Sequence, residues 1–107
     1  MITSSSNPRI KQLALWQAKA KERRAAGIFL VEGFKMFLEA PEAQIKEVYL
    51  SGEAAEKAGE YPEVREKLKR TGYETVAPGI FGKISDTLTP QGILCVMMRP
   101  EYRLEEL

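Results

Sequence analysis

The chain of 107 residues is long enough for one compact domain with its own core, and 44% apolar and 29% charged residues is an ordinary globular composition. It has no histidine, which excludes Ser-His-Asp and Cys-His catalysis within the chain and the usual His-containing zinc sites. The formal net charge is +1, but residues 1–24 carry six bases against one acid and the rest of the chain ten against fourteen. That asymmetry points to an acidic partner for the N-terminal segment, nucleic acid being the commonest. A solvated helix face accounts for the same charges, and charge alone does not choose. The one cysteine, Cys95, excludes an internal disulfide and fits a reducing, cytoplasmic setting. It lies in an apolar run, so packing is expected of it rather than nucleophilic chemistry. The longest apolar run, 93–98, is far too short to span a membrane, and the opening "MITSSSNPRIK" lacks the apolar stretch of a secretory signal.

In chain order, "SSSNPRIKQLALWQAKAKERRAAG" reads as one basic first helix. Asn7 and Pro8 supply the cap and first turn, and Gly27 the stop. Ile10, Leu13, Ala14 and Ala18 recur at helical spacing and should face the core, with Leu15 and Trp16 broadening the stripe. Lys11, Lys19 and Arg23 then share the opposite side. The run Ile28–Val31 suits a strand covered on both faces. Phe34, Phe37 and Leu38 place a helix over 33–40, ending before Pro41. Ile45–Ser51 reads as a strand and "GEAAEKAGEYPEV" as a loop or weak helix. A helix is expected over Pro62–Thr71, with Val64 and Leu68 inward and the pairs Glu63–Lys67 and Glu66–Arg70 on a solvated face. Tyr73–Ala77 reads as a strand, "PGIFGKISD" as a short helix packing Ile80, Phe81 and Ile84, and Gly92–Met98 as the last strand. Helices alternating with strands predict an α/β fold, a three-layer α/β/α sandwich with a central mixed sheet.

No glycine-rich phosphate loop of the Rossmann or P-loop type occurs, and no cluster suits a metal. Three stretches remain: the basic first helix, the junction "VEGFK" and the turn "TPQG". At the junction, Gly33 permits a tight turn. Glu32 can accept from free N–H groups at the next helix start, or tether Arg23 or Arg24. At the turn, Thr89 and Gln91 could reach phosphates, ribose hydroxyls or a base edge, although sequence physics alone favours reading Thr89-Pro90-Gln91-Gly92 as a tight turn and nothing more.

Taken together and in order, "ITSSSNPRIKQL", "KERRAAGIFLVEGFK" and "ISDTLTPQGILCVM" resemble the N-terminal substrate-binding domain of the SpoU (TrmH-like) family of RNA 2′-O-ribose methyltransferases. The resemblance runs from about Ile2 to Met98. It implies a fold like that of the ribosomal proteins that bind kinked RNA. It implies an RNA substrate-binding domain over 1–98, with 99–107 a linker toward a C-terminal knotted domain that binds S-adenosylmethionine and dimerises. The "DPGN" and glycine-rich signatures of that catalytic domain do not occur in this sequence. A truncated chain or an isolated domain is therefore expected, with no catalytic residue, cofactor or metal of its own and with rRNA or tRNA as partner.

Carried over by position, Asn7 and Lys11 match the family's opening, and Lys21 with Arg23 or Arg24 its basic run. Glu32, Gly33 and Lys35 match "VEG.K", and Thr89 to Gly92 match "TPQG". The candidate RNA contacts are Asn7, Arg9, Lys11, Lys19, Lys21, Arg23, Arg24, Lys35, Thr89 and Gln91. Glu32, Gly33, Pro90 and Gly92 are the structural junctions. A stand-alone RNA-binding or ribosome-associated adaptor of the same fold, and a protein–protein module for an acidic partner, remain alternatives at this stage.

Overall fold

The computed structural model describes residues 1–85 and 91–99. Among them the chain forms six α-helices, one 3-10 turn and four strands. Helix α1 spans Pro8–Ala18 and is opened by Asn7, whose Oδ1 accepts from the Arg9 N–H at 2.9 Å. The expected single first helix is in fact two. Lys19 takes an extended conformation, and α2 follows over Ala20–Ala26. In an unbroken helix the carbonyls of Trp16 and Gln17 would receive the N–H groups of Ala20 and Lys21. Here they accept from the Arg23 guanidinium instead, at 3.2 Å for Gln17. The break also ends the apolar stripe early. Ile10, Leu13 and Trp16 are buried, but Ala18 and Leu15 are exposed and Ala14 is half-buried. Lys11, Lys19 and Arg23 therefore do not line one helix face. Gly27 closes α2 in the left-handed region that glycine tolerates.

Strand β1 runs Ile28–Glu32, α3 Phe34–Glu39, the 3-10 turn Glu42–Gln44 and β2 Ile45–Ser51. The stretch expected to be loop or weak helix is helix α4, Gly52–Ala58, because Ser51 caps it by accepting from the Ala54 N–H at 3.1 Å. Then come α5 (Pro62–Thr71), β3 (Glu74–Val76), α6 (Pro78–Phe81) and β4 (Ile93–Met98). The sheet order is β1-β4-β2-β3. Strand β4 is antiparallel to both neighbours, and β2 is parallel to β3, so the sheet is mixed as expected. Strand β1 is an edge strand, which is why Phe29 to Val31 are only half-buried and not covered on both faces. Ile2 extends the far edge through main-chain bonds to Thr75 and Ala77, at 2.8 and 2.9 Å.

Alternation along the strands sorts the core into two layers. Leu94, Val96, Tyr49 and Ile28 meet α1 and α6 through Ile10, Leu13, Trp16, Phe81 and Ile84. Ile93, Cys95, Met97, Val48 and Leu50 meet α3, α4 and α5 through Phe37, Ala54, Ala58, Val64 and Leu68. Surface ion pairs add little to this. Arg9–Glu74 and Arg70–Glu42 lie with both side chains about half exposed, where a pair contributes about 0–1 kcal/mol. One burial corrects the sequence reading. Lys67 is not on the solvated face of α5 but 7% exposed. Its Nζ donates to the carbonyls of Leu38, at 3.1 Å, and Ala40, and lies 5.2 Å from the Phe37 ring centre. It satisfies the carbonyl end of α3 and pins α5 to it.

Two buried groups make the fold sensitive to alkali. Burial pushes the Cys95 thiol from its ordinary value near 9 up to about 12. The Tyr49 hydroxyl is raised above its ordinary value of 10 by burial and then by its hydrogen bond to Glu47. Both groups keep their protons in the native state and release them when unfolded. The stability they provide is full below the unfolded values and is lost as pH rises past them.

Three outcomes are expected. Lys67→Met keeps the stem but leaves two carbonyls without their donor, and should cost about 1–3 kcal/mol in urea unfolding. The urea midpoint should decline from about pH 9, where the thiol ordinarily titrates, and Cys95→Val and Tyr49→Phe should each flatten that decline. Gly92 has φ +90°, and a Cβ there would stand 2.5 Å from Ser51 Oγ and 2.8 Å from Ala54 Cβ. Gly92→Ala should therefore destabilise by roughly 2–4 kcal/mol. Gly79→Ala, which meets nothing within 4 Å, should stay within about 1 kcal/mol on the stabilising side.

Candidate nucleic-acid interface

The antiparallel pairing of β1 with β4 sets Glu32 opposite Leu94. It thereby brings the "VEGFK" junction and the end of the "TPQG" turn to the same edge of the sheet. The contact is specific. The Gly33 N–H donates to the Ile93 carbonyl at 3.2 Å, and the Phe34 N–H donates to Gln91 Oε1 at 2.8 Å. Helix α3 has no capping side chain of its own at Gly33, so Gln91 supplies the cap from a distant part of the chain. Gly33 makes the approach possible. Its φ is +101°, and a Cβ there would lie 3.2 Å from Gln91 Oε1. On the other side, the Gly92 carbonyl accepts from the Ser51 N–H at 2.8 Å and so ties the turn to the start of α4.

Glu32 does not cap α3. Its carboxylate accepts from the Ser85 hydroxyl at 2.5 Å and from Gln17 Nε2 at 3.3 Å, while the same Gln17 amide donates to the Ile84 carbonyl at 2.7 Å. The acid thus fastens α1 and the end of the α6 segment to the tip of β1. These contacts make the carboxylate a structural bracket between three elements.

The basic candidates divide. Helix α1 crosses the sheet from edge to edge. Arg9 near its start pairs with Glu74 of β3 at 3.3 Å, and Gln17 near its end reaches Glu32 of β1. Arg9 therefore stands over the β3 edge, beside a cleft with Trp16, Tyr49 and Tyr73. Lys19, Lys21 and Arg24 follow on the break and on α2, which packs against β1, and all three are exposed, as is Lys11. Asn7 and Arg23 have helix-end duties, the first as a cap and the second on the α1 carbonyls. Lys35 is exposed on α3, and with Gln91 it lines a groove of about 760 Å³ between α3, α4 and α5. Thr89 and Pro90 lie outside the described residues. The same groove holds Lys57 and Tyr61, which the sequence did not single out, and Phe34, which it marked only as a helix residue. Their signal was weak: Lys57 and the aromatic immediately before Pro62 lie in a stretch read as a loop or weak helix.

No helix among the described residues is long and apolar enough to cross a membrane. No curated protein matches the chain. Solved structures do. An RNA 2′-O ribose methyltransferase is 26% identical with a TM-score of 0.68, over 99% of this chain and 40% of its own length. The AdoMet-bound rRNA methyltransferase from Sinorhizobium meliloti (20%, TM-score 0.66) covers 92% of this chain and 36% of its own. The SpoU methyltransferase AviRb from Streptomyces viridochromogenes (23%, TM-score 0.64) covers 94% and 36%. The chain thus spans about 40% or less of the solved enzymes it resembles. A family profile described as the MRM3-like substrate binding domain matches residues 7–95. With the mixed α/β sheet in agreement, the chain belongs to that family of substrate-binding domains, of the kind carried by SpoU-type RNA methyltransferases.

Proposed function

We propose that the chain is the RNA-recognition domain of an RNA 2′-O-ribose methyltransferase that acts on rRNA or tRNA in the cytoplasm. The observation that carries the reading is the exposed set Lys19, Lys21 and Arg24 on the break and on α2, which packs against β1, with Lys11 exposed further back on α1. Lysine and arginine side chains in such a set neutralise phosphates and release their counterions. Glu32 holds the end of α1 to the tip of β1, so these bases keep a fixed attitude to the strand-end loops. Residues 1–98 would form the recognition unit, with 99–107 leading to the catalytic domain of the parent protein. That domain would bind S-adenosylmethionine and form the homodimer. The Sinorhizobium meliloti neighbour, with AdoMet bound, supports the choice of methyl donor. The residues of this chain would bind and orient the RNA, and none of them would move a proton or a methyl group.

Phosphate neutralisation predicts a steep salt dependence. Fluorescence anisotropy with fragments of rRNA and tRNA should show affinity falling linearly on a log–log plot against salt. Changing Lys11, Lys19 and Lys21 together to Gln should lower the magnitude of that slope by about 2, because each neutralised phosphate adds roughly 0.7 to it. Binding that is indifferent to salt, or a triple variant with the parent's slope, would sink the phosphate-binding reading.

A further inference from the structure

The groove between α3, α4 and α5 does not fit the phosphate-binding role given to α1 and α2. Its floor is apolar, formed by Phe34, Leu38, Ala54 and Val64. Around its rim, Lys35 and Lys57 are balanced by Glu53 and Glu63, so it presents little net charge. At about 760 Å³ it falls in the size range of pockets for single small ligands. Tyr61 lines it while 52% exposed, although an aromatic of that size is more often covered. A near-neutral slot with an aromatic lip suits a flat group with polar edges. The mouth lysines can then meet the charges that flank that group.

Gln91 defines the edge that such a group would meet. The atom facing the Phe34 N–H must be an acceptor, so Oε1 is committed to the α3 cap and the amide Nε2 is the end left for the groove. The slot is held open by construction. Lys67 pins α5 to the end of α3, and the Ser51 cap fixes α4 beside Gly92.

The geometry points to a seat for one unstacked nucleobase of the bound RNA, with Tyr61 as its stacking platform and Gln91 Nε2 as the donor to an acceptor on the base edge. This rests on the RNA-binding reading above. RNA readers commonly take splayed bases onto aromatic side chains and read them by hydrogen bonds, leaving backbone charge to lysine and arginine elsewhere. Here the two tasks fall on different faces of the sheet. Helix α1 lies over one core layer, and the groove helices over the other.

The test uses short fragments of rRNA and of tRNA as probes, with two measurements. In ultraviolet crosslinking followed by peptide mapping, nucleotide adducts are expected on the segment around Tyr61 or on Phe34 and Gln91. In anisotropy titrations, Tyr61→Ala should weaken binding about tenfold with an unchanged salt slope, whereas Tyr61→Phe should stay close to the parent. Circular dichroism melts that match the parent exclude a folding defect, and Tyr61→Phe keeps the ring if the alanine variant is unstable. Adducts confined to α1 and α2, or parental affinity for Tyr61→Ala, would overturn the base seat while leaving the RNA reading intact. Equal losses in both variants would overturn stacking. Fragments that do not bind at all would remove both readings.

Discussion

Strand β4 is the constraint on which the other elements depend. Ile93 to Met97 are almost completely buried, with Leu94 and Val96 facing one layer of helices and Ile93, Cys95 and Met97 the other. A strand buried on both faces must also satisfy its backbone on both edges, because an unmet N–H or C=O in that interior costs about as much as a lost hydrogen bond. Pairing with β1 and β2 does this. The pairing with β1 has a further consequence: it fixes the register that places Glu32 beside Leu94 and the Gly33 N–H on the Ile93 carbonyl. The two junction motifs therefore meet because the core demands it, and the candidate interface inherits their geometry.

At that meeting point the backbone needs are met by side chains from elsewhere. Helix α3 has no capping residue at its own start, and Gln91 provides one. Helix α1 is stopped by Lys19 and its last carbonyls turn to Arg23. Helix α3 ends on the Lys67 ammonium. Each of these polar residues joins two elements that the apolar core alone would leave free to slide. Two of them, Gln91 and Arg23, are residues a reader would assign to RNA. Beyond their helix-end duties, an amide and a guanidinium each keep further donors. Those duties do fix where the remaining donors can point.

The sequence made the regular parts of this fold legible and left the joints obscure. The bounds of β2 and α5 follow directly from Ile45–Ser51 and Pro62–Thr71, because a short apolar run rich in β-branched and aromatic residues and a proline–glycine frame are local signals. The inward faces of Val64, Leu68, Phe81 and Ile84 follow from periodicity in the same way. The break at Lys19 does not, since lysine is a good helix former and neither glycine nor proline marks the site. What takes the place of the missing backbone donors is the Arg23 guanidinium of the next helix, a side-chain bond that no propensity registers. Lys67 sits at a spacing that suits a solvated pair with Glu63, and only the fold brings the carbonyls of Leu38 and Ala40 to it. The candidate site shows the same division. Lys35 and Gln91 were readable from their motifs, whereas Tyr61 and Lys57 join the groove only because α4 forms and carries them to it.

That division explains why the motif residues and the groove residues differ in kind. Gln91 caps α3 beside Gly33 through the Phe34 N–H at 2.8 Å, and the Gly92 carbonyl takes the Ser51 N–H at 2.8 Å, so each of these positions is tied to a neighbouring element. Gly33 and Gly92 have positive φ, where a side chain is strained whatever the space. Such residues form a recognisable string because the backbone dictates them. Tyr61, Lys57 and Lys35 have no such obligation, standing exposed around the groove on helices that are anchored from within. With the proposed base seat, a domain built this way would keep its scaffold fixed while the exposed ring and lysines set which nucleotide is held and how tightly. Recognition would then be tuned at positions that sequence motifs do not advertise.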